Sequence, residues 1–201
     1  MTSNTPCLEV AVSTAKESDT FERLQRQAHL DLVTLPGFVS DIMLRELENE
    51  ATHADLILWE SAADAHSAAE LIQRDERFSS FMESIASVTH FAHYSGASLE
   101  AMNRLVESPI VEIAAYETSS SNIAGLRSQI YDALRVIEGA SPEVAGTSIS
   151  DASMLLDLIG WDNKTIHAAA SNMLPSQHPE LEPFFSNVGK MEIRSLFEVM
   201  K

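Results

Sequence analysis

The sequence predicts an α+β protein made of two tandem units, each with the element order β-α-β-β-α-β. Three observations carry this prediction, and all concern internal repeats. Segments 55–60 and 157–162 share the pattern D-L-I-x-W-acid at an offset of 102 residues and contain both tryptophans. The strand-like segments 8–11 and 111–114 recur at an offset of 103. Phe81 and Phe184 recur at the same offset, so matching features follow one another in one order in both halves.

In the first unit, hydrophobic periodicity predicts each element in turn. Alternating apolar residues over 8–13 predict a half-buried strand. Apolar residues at three-to-four spacing predict an amphipathic helix over 20–33 that is capped by Asp19 or Thr20 and ended by Pro36-Gly37. The remaining predicted elements are strands 38–48 and 54–60, a helix 62–73 capped by Ser61 or Asp64, a short helix 78–85 and a strand 88–94.

The second unit is predicted to repeat this order. Gly139 and Pro142 mark the turn after its first helix, as Pro36-Gly37 do in the first unit. Its predicted elements are strand 110–116, helix 122–137, strands 145–150 and 153–161, helix 164–173 and strand 190–199. Between the units, an apolar stripe over 97–107 predicts a linker helix that ends before Ser108-Pro109. The predicted domains are therefore residues 1–97 and 109–201, joined by a linker helix at 98–108.

This element order is that of the ferredoxin-like unit, a four-stranded antiparallel sheet with two helices on one face. The predicted strands are apolar on both faces, with only Glu9 and Glu112 as exceptions. The sheet face away from the helices must therefore also be buried. Two such sheets in one chain can pack face to face, which makes the chain an intramolecular pseudo-dimer.

Composition excludes several classes of protein. The formal net charge of −17 argues against nucleic acid and anionic membranes as partners, because both are polyanions. The single cysteine, Cys7, excludes a disulfide framework and a Cys-rich zinc site. No apolar run approaches the roughly 20 residues needed to span a bilayer, and residues 1–6 lack the features of a signal peptide. The expected location is the cytoplasm, and the expected state is a monomeric pseudo-dimer or a homodimer.

Several motifs of the first unit point to a known group of proteins. They are Leu35-Pro36-Gly37-Phe38, residues 55–61, the alanines 65, 68 and 69, and Phe78 with Phe81-Met82. Residues 110–114 are similar to the opening strand of the same group. Over residues 7–95, and more faintly over 109–200, the chain resembles the dimeric α/β-barrel superfamily, in particular antibiotic-biosynthesis-monooxygenase-like proteins.

The resemblance implies two ferredoxin-like units whose sheets close into an α/β barrel, supplied here by one chain. The superfamily includes cofactor-free quinone-forming monooxygenases, haem-degrading enzymes, chlorite-dismutase-type haem proteins and muconolactone-isomerase-like enzymes. Its haem-degrading branch relies on an Asn in strand one, a Trp in helix two and a His in the following short helix. The corresponding positions here are Ala11, Ala68 and approximately Met82. We therefore expect neither a cofactor nor a metal ion.

Three residues are candidates for catalysis: His90, His93 and Glu9. Two histidines three apart on a strand point to opposite faces, so they cannot share a metal ion without a bulge, but one of them can line a pocket. Glu9 and Glu112 occupy equivalent positions in the two units, and a carboxylate in the middle of a strand is costly to bury unpaired. Such a glutamate can pair with Arg, cap a turn or act as a general base.

Trp59, His66 and Tyr94 are candidates for contact with a ligand. In the superfamily that the sequence resembles, the position of Trp59 at the end of the third strand commonly holds a structural aromatic residue. His66 lies four residues before Glu70, a spacing that is typical of a solvated surface pair and also permits a catalytic dyad. Tyr94 can orient a phenolic substrate or pack with its hydroxyl group toward water.

The expected function is binding of a small apolar or aromatic molecule. The enzymatic version is a cofactor-independent monooxygenase-like reaction on an aromatic or polyketide-like substrate, and the alternative is a non-catalytic barrel that serves binding or assembly. An enzyme should have a sizeable pocket lined by His, Tyr or Glu, whereas a non-catalytic barrel should fill that space with Leu, Phe and Met. If only one half keeps a pocket, the first is expected to, because it holds five of the seven histidines.

Overall fold

The computed structural model describes residues 5–120 and 122–201. The first four residues of the predicted first domain thus lie outside the described part of the chain. The elements of the first repeat are β1 (Cys7–Ala15), α1 (Ser18–Leu32), β2 (Phe38–Glu46), β3 (Thr52–Trp59), α2 (Ala62–Ile72), α3 (Glu76–Ser84) and β4 (Ile85–Ser95). Helix α4 (Leu99–Glu107) follows and leads into the second repeat.

The second repeat has the same order of elements, as the sequence predicts. Its elements are β5 (Ile110–Thr118), α5 (Ile123–Arg135), β6 (Ala140–Ser148), β7 (Met154–Trp161), α6 (Lys164–Gln177), a 3₁₀ turn (Pro179–Leu181), α7 (Glu182–Asn187) and β8 (Val188–Val199). The sequence prediction missed α7, the counterpart of α3. The predicted start of β6 at residue 145 is five residues late, because Pro142 is typical of a turn. Pro142 instead lies in the strand beside a register shift, where a missing N–H is tolerated.

Turn chemistry shapes the ends of the helices in both repeats. Gly37 and Gly139, which follow α1 and α5, have φ angles of 77° and 84° that favour glycine. Ser61 caps α2 by accepting a hydrogen bond from the Asp64 N–H, as predicted. The predicted cap of α1 is wrong. Its N-cap residue is Glu17 and makes no capping hydrogen bond through its side chain, so Asp19 and Thr20 lie inside the first turn.

The eight strands close into one antiparallel barrel in the order β1-β3-β2-β8-β5-β7-β6-β4. Within each repeat the central strand, β1 or β5, pairs along its whole length with two neighbours. The two repeats are joined through shorter ladders, at 44–46 of β2 with 197–199 of β8 and at 94–95 of β4 with 147–148 of β6. The barrel therefore has two long sheets and two short junctions.

The inside of the barrel forms one hydrophobic core, built from alternate residues of the strands. On β1, Leu8, Val10 and Val12 belong to this core. Helix α4 adds Met102 and Leu105 to it and packs against β2 and β6, which lie opposite each other in the barrel order. The linker helix thus lies across one end of the barrel and seals it.

The other face of each sheet packs against the helices of its own repeat. Two further hydrophobic cores lie there, one between the first sheet and α1, α2 and α3 and the other between the second sheet and α5, α6 and α7. On β1 this face carries Glu9, Ala11 and Ser13, because successive side chains alternate between the faces of a strand. No helix among the described residues is long and apolar enough to cross a membrane.

Candidate functional site

Each repeat has a cavity between its sheet and its helices. The cavity of the second repeat has a volume of about 340 Å³, and that of the first repeat about 150 Å³. Ligand pockets commonly begin at about 300 Å³, so the second cavity has the size of a small-molecule site. Both halves thus keep a cavity, and the larger one lies in the half with fewer histidines.

The floor of the second cavity is formed by two adjacent strands. Glu112, Ala114 and Tyr116 project into it from β5, and Asp157 and Trp161 project from β7. The walls are mainly apolar and come from α5, α6, α7 and β8. They include Ile130, Leu134, Leu174, Phe184, Phe185, Val188 and Met191.

Glu112 is a buried carboxylate with partners on two sides. Its Oε1 atom accepts a hydrogen bond from Arg194 Nε (3.0 Å), and its Oε2 atom accepts one from Trp161 Nε1 (3.2 Å). His167 Nε2 lies 3.5 Å from the same Oε2. Burial alone would raise the pKa of Glu112, but the His167 imidazole and the Arg194 guanidinium outweigh burial and hold this pKa below its ordinary value. Glu112 is therefore ionised at neutral pH.

Asp157 is the second buried carboxylate of this cavity. One cationic side chain and two tyrosine hydroxyl groups contact it. Arg127 donates to Oδ1 through Nη2 at 2.7 Å and through Nε at 3.2 Å. The hydroxyl group of Tyr116 donates to Oδ2 (2.7 Å), and the Tyr131 hydroxyl lies 2.9 Å from Oδ1. Burial and the Asp157 charge raise the pKa of both tyrosines, so both remain neutral phenols.

The first repeat has an aspartate at the equivalent position, with different partners. Gln25 Nε2 and His29 Nε2 both donate to Asp55 Oδ1 at 2.7 Å, and His29 Nδ1 pairs with Asp41. Burial lowers the pKa of His29, but the charges and hydrogen bonds of Asp55 and Asp41 outweigh burial and raise it to about 9. His29 is therefore an imidazolium ion at neutral pH.

The two networks correspond position by position. Gln25 and His29 of α1 stand where α5 has Arg127 and Tyr131, and Ser13 of β1 stands where β5 has Tyr116. Each repeat thus buries an aspartate in the same place but compensates its charge with other residues.

Several solved structures are similar to this architecture, although no family model and no curated protein matches the sequence. Among solved structures, a proposed monooxygenase from Fusobacterium nucleatum matches with a TM-score of 0.70 and 9% identity, over 100% of this chain and 94% of that one. An anthrone oxidase-like protein matches with a TM-score of 0.68 and 12% identity, over 98% and 92% of the two chains. A proposed chlorite dismutase matches with a TM-score of 0.66 and 13% identity, over 98% and 96%.

The chain is a tandem dimeric α/β barrel. At these identities the likeness establishes the fold, and the activity has to be argued from the site. The tandem barrel confirms the predicted fold class, with two β-α-β-β-α-β repeats whose antiparallel sheets close into one barrel within one chain.

The six predicted site residues of the tandem barrel lie in three different places. Glu9 and His93 meet on the helix side of the first sheet, where His93 Nε2 lies 3.0 Å from Glu9 Oε2. The His66 ring lies beside them, with its centroid 5.1 Å from that of His93. His66 Nδ1 donates to the Ala62 carbonyl group (2.6 Å), and Glu70 is instead near Arg74.

His90 and Tyr94 lie on the other face of β4, inside the barrel. His90 Nε2 is 3.0 Å from the Tyr94 hydroxyl oxygen. Burial lowers the pKa of His90 and raises that of Tyr94. Trp59 is fully buried in the core beneath α1 and α2, where its ring packs edge-on against Phe38. Of the six residues, Glu9 alone lines either of the two cavities.

Sequence reasoning missed the buried aspartates. Glu9 and Glu112 were expected to be the only interruptions of the apolar strands, but Asp55 and Asp157 also lie on the buried helix side. The signal was present, because these aspartates begin the two repeated D-L-I-x-W segments. A second signal was the pair of polar residues four apart on the sheet-facing side of each first helix, which supplies their partners.

The residues that line the cavities do not fit a haem group, although haem proteins occur in the superfamily that the sequence resembles. Haem iron is commonly held by an imidazole nitrogen. No histidine lines the second cavity, and both ring nitrogens of His29 in the first are taken by carboxylates. Within the described residues, no group of three or more His, Cys, Asp or Glu side chains is placed to hold a metal ion.

Proposed function

We propose that the second repeat binds a planar aromatic molecule with fused rings and oxidises it with O₂ without a cofactor. The second cavity carries this proposal, because it combines apolar walls with an ionised, buried glutamate. The fold supports the proposal in a general way, since similar structures include a proposed monooxygenase and an anthrone oxidase-like protein.

The shape of the cavity favours an elongated, flat ligand. Glu112 and Tyr116 are four residues apart on β5, which separates their Cα atoms by about 13 Å. Ala114 lies between them, and its short side chain leaves space above the middle of the cavity floor. A planar molecule can therefore lie along β5 with its faces against Leu134, Leu174 and other apolar side chains, and with a polar group at each end.

Glu112 is placed to act as the base. A methylene group between two aromatic rings that are also joined by a carbonyl group, as in anthrone, can lose a proton to a carboxylate when the resulting enolate is stabilised. The Arg194 guanidinium contacts Glu112 through Nε only, and its Nη1 and Nη2 groups make no hydrogen bond within the described residues. These groups are available to an enolate or phenolate oxygen of the ligand.

The overall reaction needs O₂ as its only oxidant. The carbanion gives its electrons to O₂, a carbon–oxygen bond forms, and the O–O bond breaks with loss of water. In total, one CH₂ group and one O₂ give one C=O group and one H₂O. The protein supplies a mainly apolar cavity, the base and a cation beside the developing anion.

Anthrone is the first compound to test, because it has the required methylene and fused rings. Oxygen uptake and the absorbance of the quinone product should rise together on addition of the protein. Glu112→Gln keeps the shape of the side chain but removes the base, and it should lower the rate by about 10² to 10⁴. Ala114→Leu should block the cavity, whereas Ala11→Leu, the equivalent change in the first repeat, should leave the rate unchanged. Equal rates for the protein with and without Glu112→Gln would refute the assigned base.

A non-catalytic binding role is the second candidate, and one observation favours it. Both carboxylates of the second cavity already have partners within the protein, as is typical of a rigid binding site. This candidate predicts that anthrone binds, that Ala114→Leu abolishes the binding, and that O₂ is not consumed above the rate in buffer.

A further inference from the structure

The cavity of the first repeat is a built site with different chemistry from that of the second. Its volume of about 150 Å³ is large enough for a single aromatic ring, since apolar cavities of this size take up benzene in other proteins. Its walls include Ile72, Phe78, Phe81, Met82 and Phe91.

Glu9 is the polar group at one end of this cavity. Its side chain is only 7% exposed, and its Oε2 atom is bound by His93. Its Oε1 atom accepts no hydrogen bond from the described residues, although Glu9 lines the cavity. The equivalent Glu112 differs, because each of its two oxygens accepts a hydrogen bond from the protein, one from Arg194 and the other from Trp161. The open oxygen of this buried carboxylate can therefore accept a hydrogen bond from a ligand in the cavity.

The charges around the cavity favour a cationic donor. Glu9 and Asp55 line it, and neither Lys nor Arg is among the lining residues. Among the lining residues, His29 is present as an imidazolium ion that is held between Asp41 and Asp55. The two aspartates outweigh this single positive charge, and Asp55 pairs across the strands with Ala11, two residues along β1 from Glu9. A positive group beside Glu9 therefore meets little repulsion.

We propose that the first repeat binds a small aromatic amine, with its ring against the phenylalanine side chains and its ammonium group donating to Glu9 Oε1. The site is independent of the second cavity. An aromatic wall beside a carboxylate suits an ammonium ion, because the ring faces are also attractive to cations.

Three ligands of equal size test the recognition of charge: 4-fluorobenzylammonium, 4-fluorobenzyl alcohol and 4-fluorobenzoate. Binding to the full chain is followed by ¹⁹F NMR titration. The ammonium should saturate at one equivalent and bind at least about tenfold more tightly than the alcohol, because a hydrogen bond to a charged group is the stronger. The benzoate should not bind. Tighter binding of benzoate or alcohol than of the ammonium would overturn the proposal.

A matched pair of substitutions tests the location. Ala11 and Ala114 are equivalent residues in the middle of the two cavity floors. Ala11→Leu should abolish binding of the ammonium, whereas Ala114→Leu should leave it unchanged. The opposite pattern would place the ligand in the second repeat and refute the proposal. Non-specific attraction to the acidic surface would give no saturation and would survive Ala11→Leu, which also refutes it.

A third variant decides the case if Ala11→Leu does not fold, as judged by circular dichroism. Glu9→Gln keeps the size of the side chain and removes its charge. It should weaken binding of the ammonium at least about tenfold and change the affinity for the alcohol by much less. Equal losses for both ligands would contradict direct contact between Glu9 and the ammonium group.

Discussion

The buried His29 imidazolium predicts that the protein loses stability in mildly alkaline solution. The pKa of His29 is about 9 in the folded chain and 6.5 when unperturbed. A raised pKa means that the folded state binds the proton more tightly than the unfolded state. The resulting stabilisation is complete below pH 6.5 and is lost as the pH rises through 9. Over the whole window it amounts to about 3 kcal/mol.

The loss can be measured by urea unfolding followed through tryptophan fluorescence, because both tryptophans are buried. Between pH 7 and 8.5 the free energy of unfolding should fall by about 2 kcal/mol from this group alone. The other perturbed groups act outside this range. Burial lowers the pKa values of His53 and His90, which reduces stability below pH 6.5, and burial raises the pKa of Cys7 to about 12, which reduces stability only above about pH 9.

His29→Gln is the control, because glutamine can donate to one aspartate but does not titrate. Its free energy of unfolding at pH 6 should be lower than that of the natural protein. Between pH 7 and 8.5 its free energy of unfolding should fall less steeply with pH, by about 1 kcal/mol per pH unit. Asp41→Asn retains the histidine but removes one carboxylate, so it should move the loss to lower pH. If His29→Gln kept the slope of the natural protein, the assignment of a buried imidazolium would be refuted.

Further substitutions test the differences between the repeats. Arg127→Met should lower the free energy of unfolding by about 3–5 kcal/mol, because it removes the cation beside a buried aspartate; Gln25→Met, at the equivalent position, removes a neutral donor and should cost about 1–3 kcal/mol in the same urea assay. Trp161→Phe removes a hydrogen bond to a buried carboxylate, whereas Trp59→Phe removes a buried N–H that has no partner among the described residues. The two substitutions should therefore change the melting temperature by different amounts, and equal changes would contradict the assigned contacts. Gly37→Ala should cost more than about 1 kcal/mol, because φ is 77° and the new Cβ would lie 2.4 Å from Asp64; an unchanged melting temperature would contradict this.

The fold could be predicted because its signals are local and occur twice. The alternation over 8–13, the helical spacing that follows and the D-L-I-x-W segment each define an element without reference to distant residues. Because these signals recur, an element predicted in one half supports the prediction of its counterpart in the other half. The opposite faces of His90 and His93 also follow from strand geometry alone, and the structure places His93 on the helix side and His90 inside the barrel.

The candidate site could be predicted only in part, because its partners come together through the fold. Glu112 is recognisable as a repeated mid-strand carboxylate, but Trp161 lies 49 residues from it and Arg194 lies 82. Which glutamate keeps an oxygen without a donor from the protein depends on which of these distant side chains reaches it. The sizes of the two cavities depend on how α2 and α3 pack in the first repeat and how α6 and α7 pack in the second, and the hydrophobic pattern of the sequence does not specify this.

The linker helix has a consequence for how the two cavities can change. In a homodimer the same residue must occupy both equivalent positions, and every substitution is made twice across the symmetry axis. A chain that carries both halves is free of this constraint, so Gln25 can stand opposite Arg127 and Ser13 opposite Tyr116. Inside the barrel, each sheet has to pack against the sheet of the other repeat and not against an identical copy of itself. By sealing the barrel end while connecting the repeats, α4 allows one molecule to present two unlike chambers in a fixed one-to-one ratio.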